Sequence, residues 1–291
     1  MTEALQKKIE FGYAQVGAFR LHYARAGNGP KLVLLLHGFP EFWYSWRHQL
    51  VDLSDEYTVV APDLRGTNLS DKPTEISEYK IDKLVDDAVG LIDQLGFEQA
   101  AVVGHDWGGG IAWAIARTHP KSVSKLAVLQ TPPIDIWRKN LTMNQLFASW
   151  YMFFFQLPKL PEMLLTSRDF EGLAKGVRGT TAARGVISKQ DIEEYKIAWA
   201  RPGTITGGLN LYRANVLSRL FGKKEKLPDV TVPTLFIYGE QDHAILPSTV
   251  EGVAEVVAAD YDEIRIPEAA HWVHVEARDK VSAALRNFLR E

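Results

Sequence analysis

The 291-residue chain has no cysteine, no large excess of charge of one sign and no long apolar run. Without cysteine it forms neither a disulfide nor a thiol nucleophile. Its 33 Lys and Arg against 36 Asp and Glu give a formal net charge of −3, which argues against nucleic acid as a partner. No apolar run approaches the length of a membrane span. These absences favour an enzyme or a small-molecule-binding protein.

The composition is that of an ordinary globular protein, with 46% hydrophobic and 24% charged residues. Its length fits one large domain, or one domain that carries an insertion. Residues 1–8 contain no apolar signal region, so we expect a cytoplasmic protein.

Apolar runs that alternate with amphipathic stretches predict an α/β fold with a mostly parallel sheet flanked by helices. A β-hairpin is predicted for residues 11–16 and 19–26, with a turn at Gly17. The other predicted strands are residues 31–36, 57–61, 100–103, 125–129, 231–238 and 263–266. The predicted helices that alternate with them are residues 42–53, 81–95, 109–117, 249–258 and 275–289.

The alternation stops between residues 132 and 220, which are rich in aromatic residues and helix formers. This stretch predicts an inserted, all-helical cap. The sequence therefore divides into a first part of the core at residues 1–131, the cap at 132–220, and a second part of the core at 221–291.

Residues 104–108 read Gly-His-Asp-Trp-Gly, between a predicted strand and a predicted helix. Strand, sharp turn and helix is the context of the Gly-x-Ser-x-Gly nucleophile elbow, but Asp106 stands where the serine would be, which excludes a serine lipase or esterase. A carboxylate is suited to displacement at an sp3 carbon, because the ester that forms can be cleaved by water. The motif alone is also compatible with a glycine-rich turn in which Asp106 caps the helix.

Two further residues at predicted strand ends can act together with Asp106. Asp242 follows strand 231–238, and His271 follows the last strand. The order nucleophile, acid, histidine is that of an α/β-hydrolase triad, in which the acid orients a histidine that deprotonates water. Taken singly, Asp242 could be a loop aspartate and His271 a core or capping histidine.

Water that attacks an ester of Asp106 creates an oxyanion, which two backbone N–H groups should meet. Phe39 and Trp107 are the candidates for this oxyanion hole. His274 lies about one helical turn from His271, but no further ligands at metal spacing accompany the pair, so no metal site is predicted.

The chain resembles the epoxide hydrolases of the α/β-hydrolase fold over nearly its whole length. The motifs that carry the resemblance are His37-Gly38-Phe39-Pro40-Glu41, Trp43-Tyr44-Ser45-Trp46-Arg47, Gly104-His105-Asp106-Trp107-Gly108-Gly109, Asp242, His271-Trp272, and two cap segments at residues 150–158 and 209–213.

The resemblance implies that Tyr151 and Tyr212, one in each cap segment, hydrogen-bond the epoxide oxygen. A phenol with a pKa near 10 stays protonated at neutral pH and can donate to the alkoxide that forms. Glu41 is a candidate for placing the hydrolytic water, with a helix-start glutamate as the alternative. The aromatic content of the cap predicts an apolar pocket, so the expected substrate is a lipophilic epoxide, which is converted to a vicinal diol. The expected partners are this small-molecule epoxide and water, with no cofactor or metal, and the oligomeric state, monomer or homodimer, is left open.

Two rival functions are weighed against this one. A dehalogenase on the same fold would also use an aspartate nucleophile, but residues 107–113 contain no arginine to clamp a haloacid, and Phe39 stands where haloalkane dehalogenases usually carry asparagine. A non-catalytic receptor is the second rival. Asn68 departs from the family, since relatives commonly have glycine there, and it is expected to alter a loop away from the site.

Overall fold

The computed structural model describes residues 7–222 and 226–290, and in them the strands form one sheet of eight. Residues 1–6, where no signal region is predicted, lie outside the described residues. The strands are β1 (Glu10–Val16), β2 (Phe19–Ala26), β3 (Leu32–Leu36), β4 (Thr58–Pro62), β5 (Ala100–His105), β6 (Val123–Leu129), β7 (Thr234–Gly239) and β8 (Tyr261–Ile266). Their order is β1-β2-β4-β3-β5-β6-β7-β8.

The sheet is parallel from β4 to β8, and the predicted hairpin β1–β2 adds an antiparallel edge. Every residue of β3, β4, β5 and β7 is buried. This explains their nearly continuous apolar sequences, since helices cover both faces of a parallel sheet. The predicted fold class is therefore confirmed.

The helices are α1 (Arg47–Asp52), α2 (Ile81–Gln94), α3 (Trp107–Thr118), α4 (Ile134–Lys139), α5 (Met143–Ala148), α6 (Trp150–Phe154), α7 (Leu160–Gly179), α8 (Lys189–Trp199), α9 (Thr204–Phe221), α10 (Val273–Glu276) and α11 (Arg278–Arg290). Short 3-10 helices lie at Trp43–Trp46, Ile76–Tyr79, Pro120–Ser122, Pro247–Thr249 and Val253–Val256. None of the helices in the described ranges is long and apolar enough to cross a membrane.

The chain between β6 and β7 contains six helices, α4 to α9, and no strand in its described residues. This is the all-helical composition predicted for the cap, while the boundaries at residues 132 and 220 stay predictions. α7 is kinked at residues 167–170, whose backbone angles are not helical.

Two helix predictions are wrong in detail. Residues 249–258 form no α-helix, because Gly252 takes a left-handed φ of 80° and separates two 3-10 turns. The predicted helix at 275–289 is displaced and interrupted: α10 ends at Glu276 and α11 begins at Arg278. In both segments the apolar residues are spaced as in a helix, but this spacing does not show where the backbone leaves the helical conformation.

Candidate active site

The candidate nucleophile lies in a strained turn between β5 and α3. Asp106 has φ 51° and ψ −120°, a conformation that non-glycine residues rarely adopt. The turn fits against β3 only because Gly108 has no side chain, since a Cβ there would clash with the Leu36 carbonyl oxygen. Thr131 supports the turn from β6 by donating its Oγ1 hydrogen to the Asp106 carbonyl oxygen at 2.9 Å. The strained turn therefore holds the Asp106 carboxylate at the edge of the sheet where the parallel strands end.

Two backbone amides meet the Asp106 carboxyl group. The Phe39 N–H donates to Oδ1 at 2.9 Å, and the Trp107 N–H also hydrogen-bonds this carboxylate. Burial raises the pKa of Asp106, while the nearby His271 and His105 and the two amides oppose that rise. The structure therefore brings together the two N–H donors that the sequence predicted.

His271 faces Asp106 from the end of β8. Its Nε2 lies 4.0 Å from Asp106 Oδ2, and its Nδ1 lies 2.9 Å from Asp242 Oδ2. Burial lowers the pKa of His271, but Asp242 and then Asp106 outweigh it and raise the pKa to about 9. The geometry is that of a histidine oriented by one carboxylate and pointing at another.

Asp242 is buried and fully hydrogen-bonded. Its Oδ1 accepts from the Ala244 and Ile245 N–H groups at 2.7 and 3.0 Å. Its Oδ2 accepts from Gln130 Nε2 at 2.6 Å as well as from His271. Burial would raise its pKa, but His271 and these donors hold the pKa below its usual value.

Sequence reasoning missed Gln130. This residue follows β6, is fully buried, and takes a positive φ of 67°. Its Oε1 also accepts from the Gly239 N–H at 2.5 Å, so it ties β6 to the loop that carries Asp242. Its place directly after a predicted strand was the available signal, because polar residues at parallel strand ends converge on one edge.

Glu41 is buried at the base of the site and not on the surface. Its Oε2 accepts from the Gly38 N–H at 2.6 Å and lies 2.9 Å from His105 Nδ1, while Oε1 lies 3.3 Å from His274 Nε2. Burial opposes ionisation, but His105 and His274 hold the pKa of Glu41 well below its usual range. These contacts brace the turn before Phe39, and the role in placing water stays a prediction.

No ligands at metal spacing accompany His274 in the sequence, but the fold brings two distant residues to it. Glu41, His105 and His274 bring potential ligand atoms within 4.8 Å of one another. They come from three distant segments, so no spacing in the sequence reveals them. His105 Nε2 donates to the His271 carbonyl oxygen at 2.8 Å and its Nδ1 lies 2.9 Å from Glu41 Oε2, whereas the ring nitrogens of His274 are buried and make no hydrogen bond in the described residues.

The two cap tyrosines lie above the nucleophile. The rings of Tyr151 and Tyr212 are 6.0 Å apart, and the Tyr212 ring lies 5.0 Å from that of Trp107. Burial, followed by the Asp106 charge, raises the pKa of both phenols. Both side chains therefore remain protonated donors over the whole neutral range.

Comparison with known proteins identifies the family. A model of the alpha/beta hydrolase fold matches residues 31–277. Mouse Epoxide hydrolase 4 is 38% identical over 94% of this chain and 77% of its own length. The AB hydrolase superfamily protein YfhM of Bacillus subtilis (strain 168) is 39% identical over 97% of this chain and 98% of its own. The crystal structure of the Bacillus megaterium epoxide hydrolase in complex with an inhibitor is 32% identical, with a TM-score of 0.86 over 96% of this chain and 100% of that one.

The chain belongs to the epoxide hydrolases of the α/β-hydrolase family. As a member of that family it is an enzyme, so the alternative of a non-catalytic receptor no longer applies.

A cavity of about 410 Å³ opens beside Asp106 in this epoxide hydrolase. Trp107 and Tyr212 line its reactive end, and apolar side chains of α3, α4 and α9 form much of its wall. A cavity of this size accommodates a drug-sized ligand.

Asn68 lies in the loop after β4, as predicted, but it is not merely a change in loop shape. It is buried, takes a φ of 43°, and its Nδ2 donates to Asp63 Oδ2 at 2.8 Å. Its Oδ1 accepts from Arg201 Nε of the cap segment at 2.8 Å. Asparagine tolerates the left-handed conformation that a glycine would also adopt, and it adds a tie to the cap.

Proposed function

We propose that the protein hydrolyses an epoxide to a vicinal diol through a covalent ester on Asp106, with no metal or organic cofactor in the reaction. Its membership of the epoxide hydrolases supports this, as does a buried carboxylate that faces an imidazole beneath two phenols. The substrate approaches Asp106 from the apolar cavity.

In the first half-reaction, Asp106 Oδ2 attacks an epoxide carbon and the bond from that carbon to the ring oxygen breaks. The electron pair goes to the oxygen, and Tyr151 and Tyr212 donate hydrogen bonds or a proton to it. Alkoxides are poor leaving groups in water, so general-acid assistance of this kind lowers the barrier. The product is a hydroxyalkyl ester of Asp106.

In the second half-reaction, His271 takes a proton from water and the hydroxide attacks the Asp106 carboxyl carbon. The negative charge that develops on the carboxyl oxygen is met by the Phe39 and Trp107 N–H groups. Collapse of this tetrahedral intermediate breaks the ester bond, and the imidazolium proton goes to the departing alkoxide to give the diol. The Asp106 carboxylic acid that remains then passes its proton to His271, which restores the carboxylate and the imidazolium. Asp242 stabilises the imidazolium and fixes the ring orientation.

The charges fit this order of events. With a pKa of about 9, His271 is an imidazolium at neutral pH while Asp106 is ionised. Forming the ester removes the negative charge of Asp106, which is one of the charges that raise the pKa of His271. The pKa of His271 therefore falls in the intermediate, and its proton neutralises the alkoxide or tyrosinate, so that a neutral base is present when water must be activated.

The observation that carries the proposal is the pairing of Asp106 with two amide donors on one side and His271 Nε2 at 4.0 Å on the other. An imidazole at this distance can reach a water that also contacts the carboxyl group from beside the pair. A capping aspartate would not require such a base.

The test uses the variant His271→Ala, which should form the ester but not hydrolyse it. The variant is incubated with styrene oxide and, separately, with 1-bromobutane, and its intact mass is measured and the modified peptide mapped. A gain equal to the whole epoxide mass on Asp106 is the expected result. His243→Ala, which removes an exposed histidine next to Asp242, should turn over without accumulating an adduct.

Other results contradict the proposal. An adduct equal to the haloalkane minus hydrogen halide, with none from the epoxide, would indicate a dehalogenase. An epoxide adduct on another residue, retained in the double variant Asp106→Asn/His271→Ala, would rule out Asp106 as the nucleophile.

A further inference from the structure

Two guanidinium groups line the cavity without a carboxylate partner among residues 7–222 and 226–290. Arg219, on α9, stacks over the Trp107 ring at 5.7 Å. Arg138, on α4, donates from Nη2 to the Ser218 carbonyl oxygen at 3.5 Å, and its buried Nε has no partner in the described residues. Both side chains are partly buried, and a guanidinium group that lines a cavity without a counter-charge is a ready partner for an anion.

A third arginine in the same wall provides the contrast. Arg117 donates to both oxygens of Asp135, at 3.1 and 2.9 Å. Its charge is neutralised inside the protein. The lack of a carboxylate partner is therefore specific to Arg138 and Arg219 and is not shared by every arginine that lines the cavity.

The position of Arg219 makes an anion still more favourable. Its Nη1 lies close to Gly110, in the first turn of α3, where the helix dipole presents its positive end. Burial and the Arg138 guanidinium lower the pKa of Arg219 to about 10. Each of these neighbours would be better satisfied by a negative charge placed between them.

The spacing along α9 gives a distance. Tyr212 and Arg219 are seven residues apart, which is roughly 10 Å along a helix axis, and both line the cavity. The cavity lining also includes the apolar side chains of Val216, Trp113 and Trp137, and Val216 lies between the two on α9. The cavity therefore presents a phenol and two guanidinium groups in a lining that is otherwise rich in apolar side chains.

We propose that this enzyme takes an epoxide that carries a carboxylate roughly 10 Å from the ring, with Arg219 and Arg138 binding the carboxylate while Tyr212 faces the epoxide oxygen. This inference rests on the proposed epoxide hydrolysis and adds its substrate class. A guanidinium matches a carboxylate with two parallel hydrogen bonds, so the pair selects both the charge and its distance from the ring. A haloacid of two carbons is too short to bridge the same groups.

The test compares three epoxides in steady-state kinetics: 9,10-epoxydecanoic acid, its methyl ester and 3,4-epoxybutanoic acid. The wild-type enzyme should prefer the long acid over its ester by roughly 10- to 100-fold in kcat/KM, which is the worth of a charge-assisted hydrogen bond. Arg219→Gln should bring this ratio close to one, mainly by raising KM for the acid. Arg138→Gln should reduce it in the same direction.

Arg184→Gln is the matched control, because Arg184 is an exposed arginine of the same chain segment and does not line the cavity. It should retain the wild-type ratio. Turnover of the ester by Arg219→Gln shows that the variant is folded, and added salt should lower the wild-type preference less than it would for an exposed ion pair.

Several outcomes overturn the inference. Equal kcat/KM for the long acid and its ester, or a preference that survives in both arginine variants, would remove the carboxylate subsite while leaving epoxide hydrolysis intact. A short acid hydrolysed as well as the long one would remove the distance argument. Failure of the wild-type enzyme to open any of the three epoxides, or styrene oxide, would instead refute the proposed function itself.

Discussion

The sheet side and the cap side of the site are built in different ways. On the sheet side, Asp106 and Asp242 lie in turns at strand ends, and backbone amides hold their carboxylates. On the cap side, Tyr151 and Tyr212 lie on two separate helices and are positioned by ring contacts with Phe155 and with each other. The groups proposed to form and break bonds are therefore held by short-range geometry, while the positions of the two phenols proposed to meet the leaving oxygen depend on how helices pack.

This difference fits the demands of the two steps. Attack by a carboxylate and by water requires fixed distances and angles, which a strained turn supplies. Binding different epoxides requires a wall that can vary, which helices in an insertion supply. Substitutions on the sheet side, on the cap side and at Gln130 test whether the two sides of the site serve different steps. They follow in order of decreasing expected effect.

The largest effect is expected from Asp242→Asn. The change removes the negative charge that most raises the pKa of His271 and the acceptor that orients its ring. Hydrolysis of the ester should slow by roughly 10³- to 10⁴-fold, while ester formation changes much less. Because the neutral base then persists at lower pH, the rising limb of the rate of hydrolysis should shift to lower pH, measured by single-turnover mass spectrometry.

Asp262→Asn is the control for this change, since Asp262 is an exposed carboxylate on β8. It should leave both steps and their pH dependence as in the wild type. A pH profile that does not move in Asp242→Asn would mean that Asp242 is not the charge that sets the base.

A smaller effect, confined to the other half-reaction, is expected on the cap side. Tyr151→Phe and Tyr212→Phe should each slow ester formation by roughly 10- to 100-fold, and the double variant should slow it further, because one remaining phenol can still donate to the oxygen. Single-turnover measurements would show that hydrolysis of an ester once formed is little changed.

Tyr195→Phe provides the matched control for the two phenols. Tyr195 is a buried tyrosine of α8 that packs against Phe42 and Trp199 and does not line the cavity. Ester formation at the wild-type rate in the double variant would contradict the role of the cap tyrosines and leave the sheet side as the whole of the machinery.

The smallest effect is expected from Gln130→Leu. The change leaves the Gly239 N–H without its acceptor and removes one donor to Asp242, which keeps its two amide donors. Ester hydrolysis should slow by about tenfold and the free energy of unfolding should fall by about 1–3 kcal/mol, measured in urea.

Gln49→Leu separates stability from positioning. Gln49 is a buried glutamine that donates to the His274 carbonyl oxygen at 2.9 Å and lies outside the Asp242 loop. It should lower stability comparably without slowing ester hydrolysis. Equal slowing in both variants would show that Gln130 acts only through general stability.

Much of the sheet side could be predicted because the chemistry follows local patterns. An apolar run followed by glycine and a polar residue marks a strand end, and strand ends of a parallel sheet share one edge. Asp106, Asp242 and His271 were found in this way. Gln130 obeys the same pattern after β6, but it carries no reactive group, so its position at a strand end was the only signal for it and was passed over.

The contacts that bring distant segments together escaped prediction. Glu41 meets His105 and His274 only because β3 and β5 are neighbouring strands and α10 brings His274 to the place where they end. The interruption of the predicted helix at Gly252 was not predicted, because the spacing of apolar residues does not show that this glycine takes a left-handed conformation. Arginine was sought only next to the nucleophile in sequence, whereas Arg219 reaches the cavity from α9.

By itself, the sequence determined the candidate reactive groups and their order along the chain, because an aspartate at the elbow, an acid and a histidine at later strand ends are local features that together predict one kind of chemistry. Only the tertiary structure decided which side chains surround the substrate. Helix packing in the insertion sets which face of α9 lines the cavity, and with it whether Arg219 meets a carboxylate of the protein or stands open to one on the substrate. That choice is made by contacts between segments far apart in the chain, which no short stretch of sequence encodes.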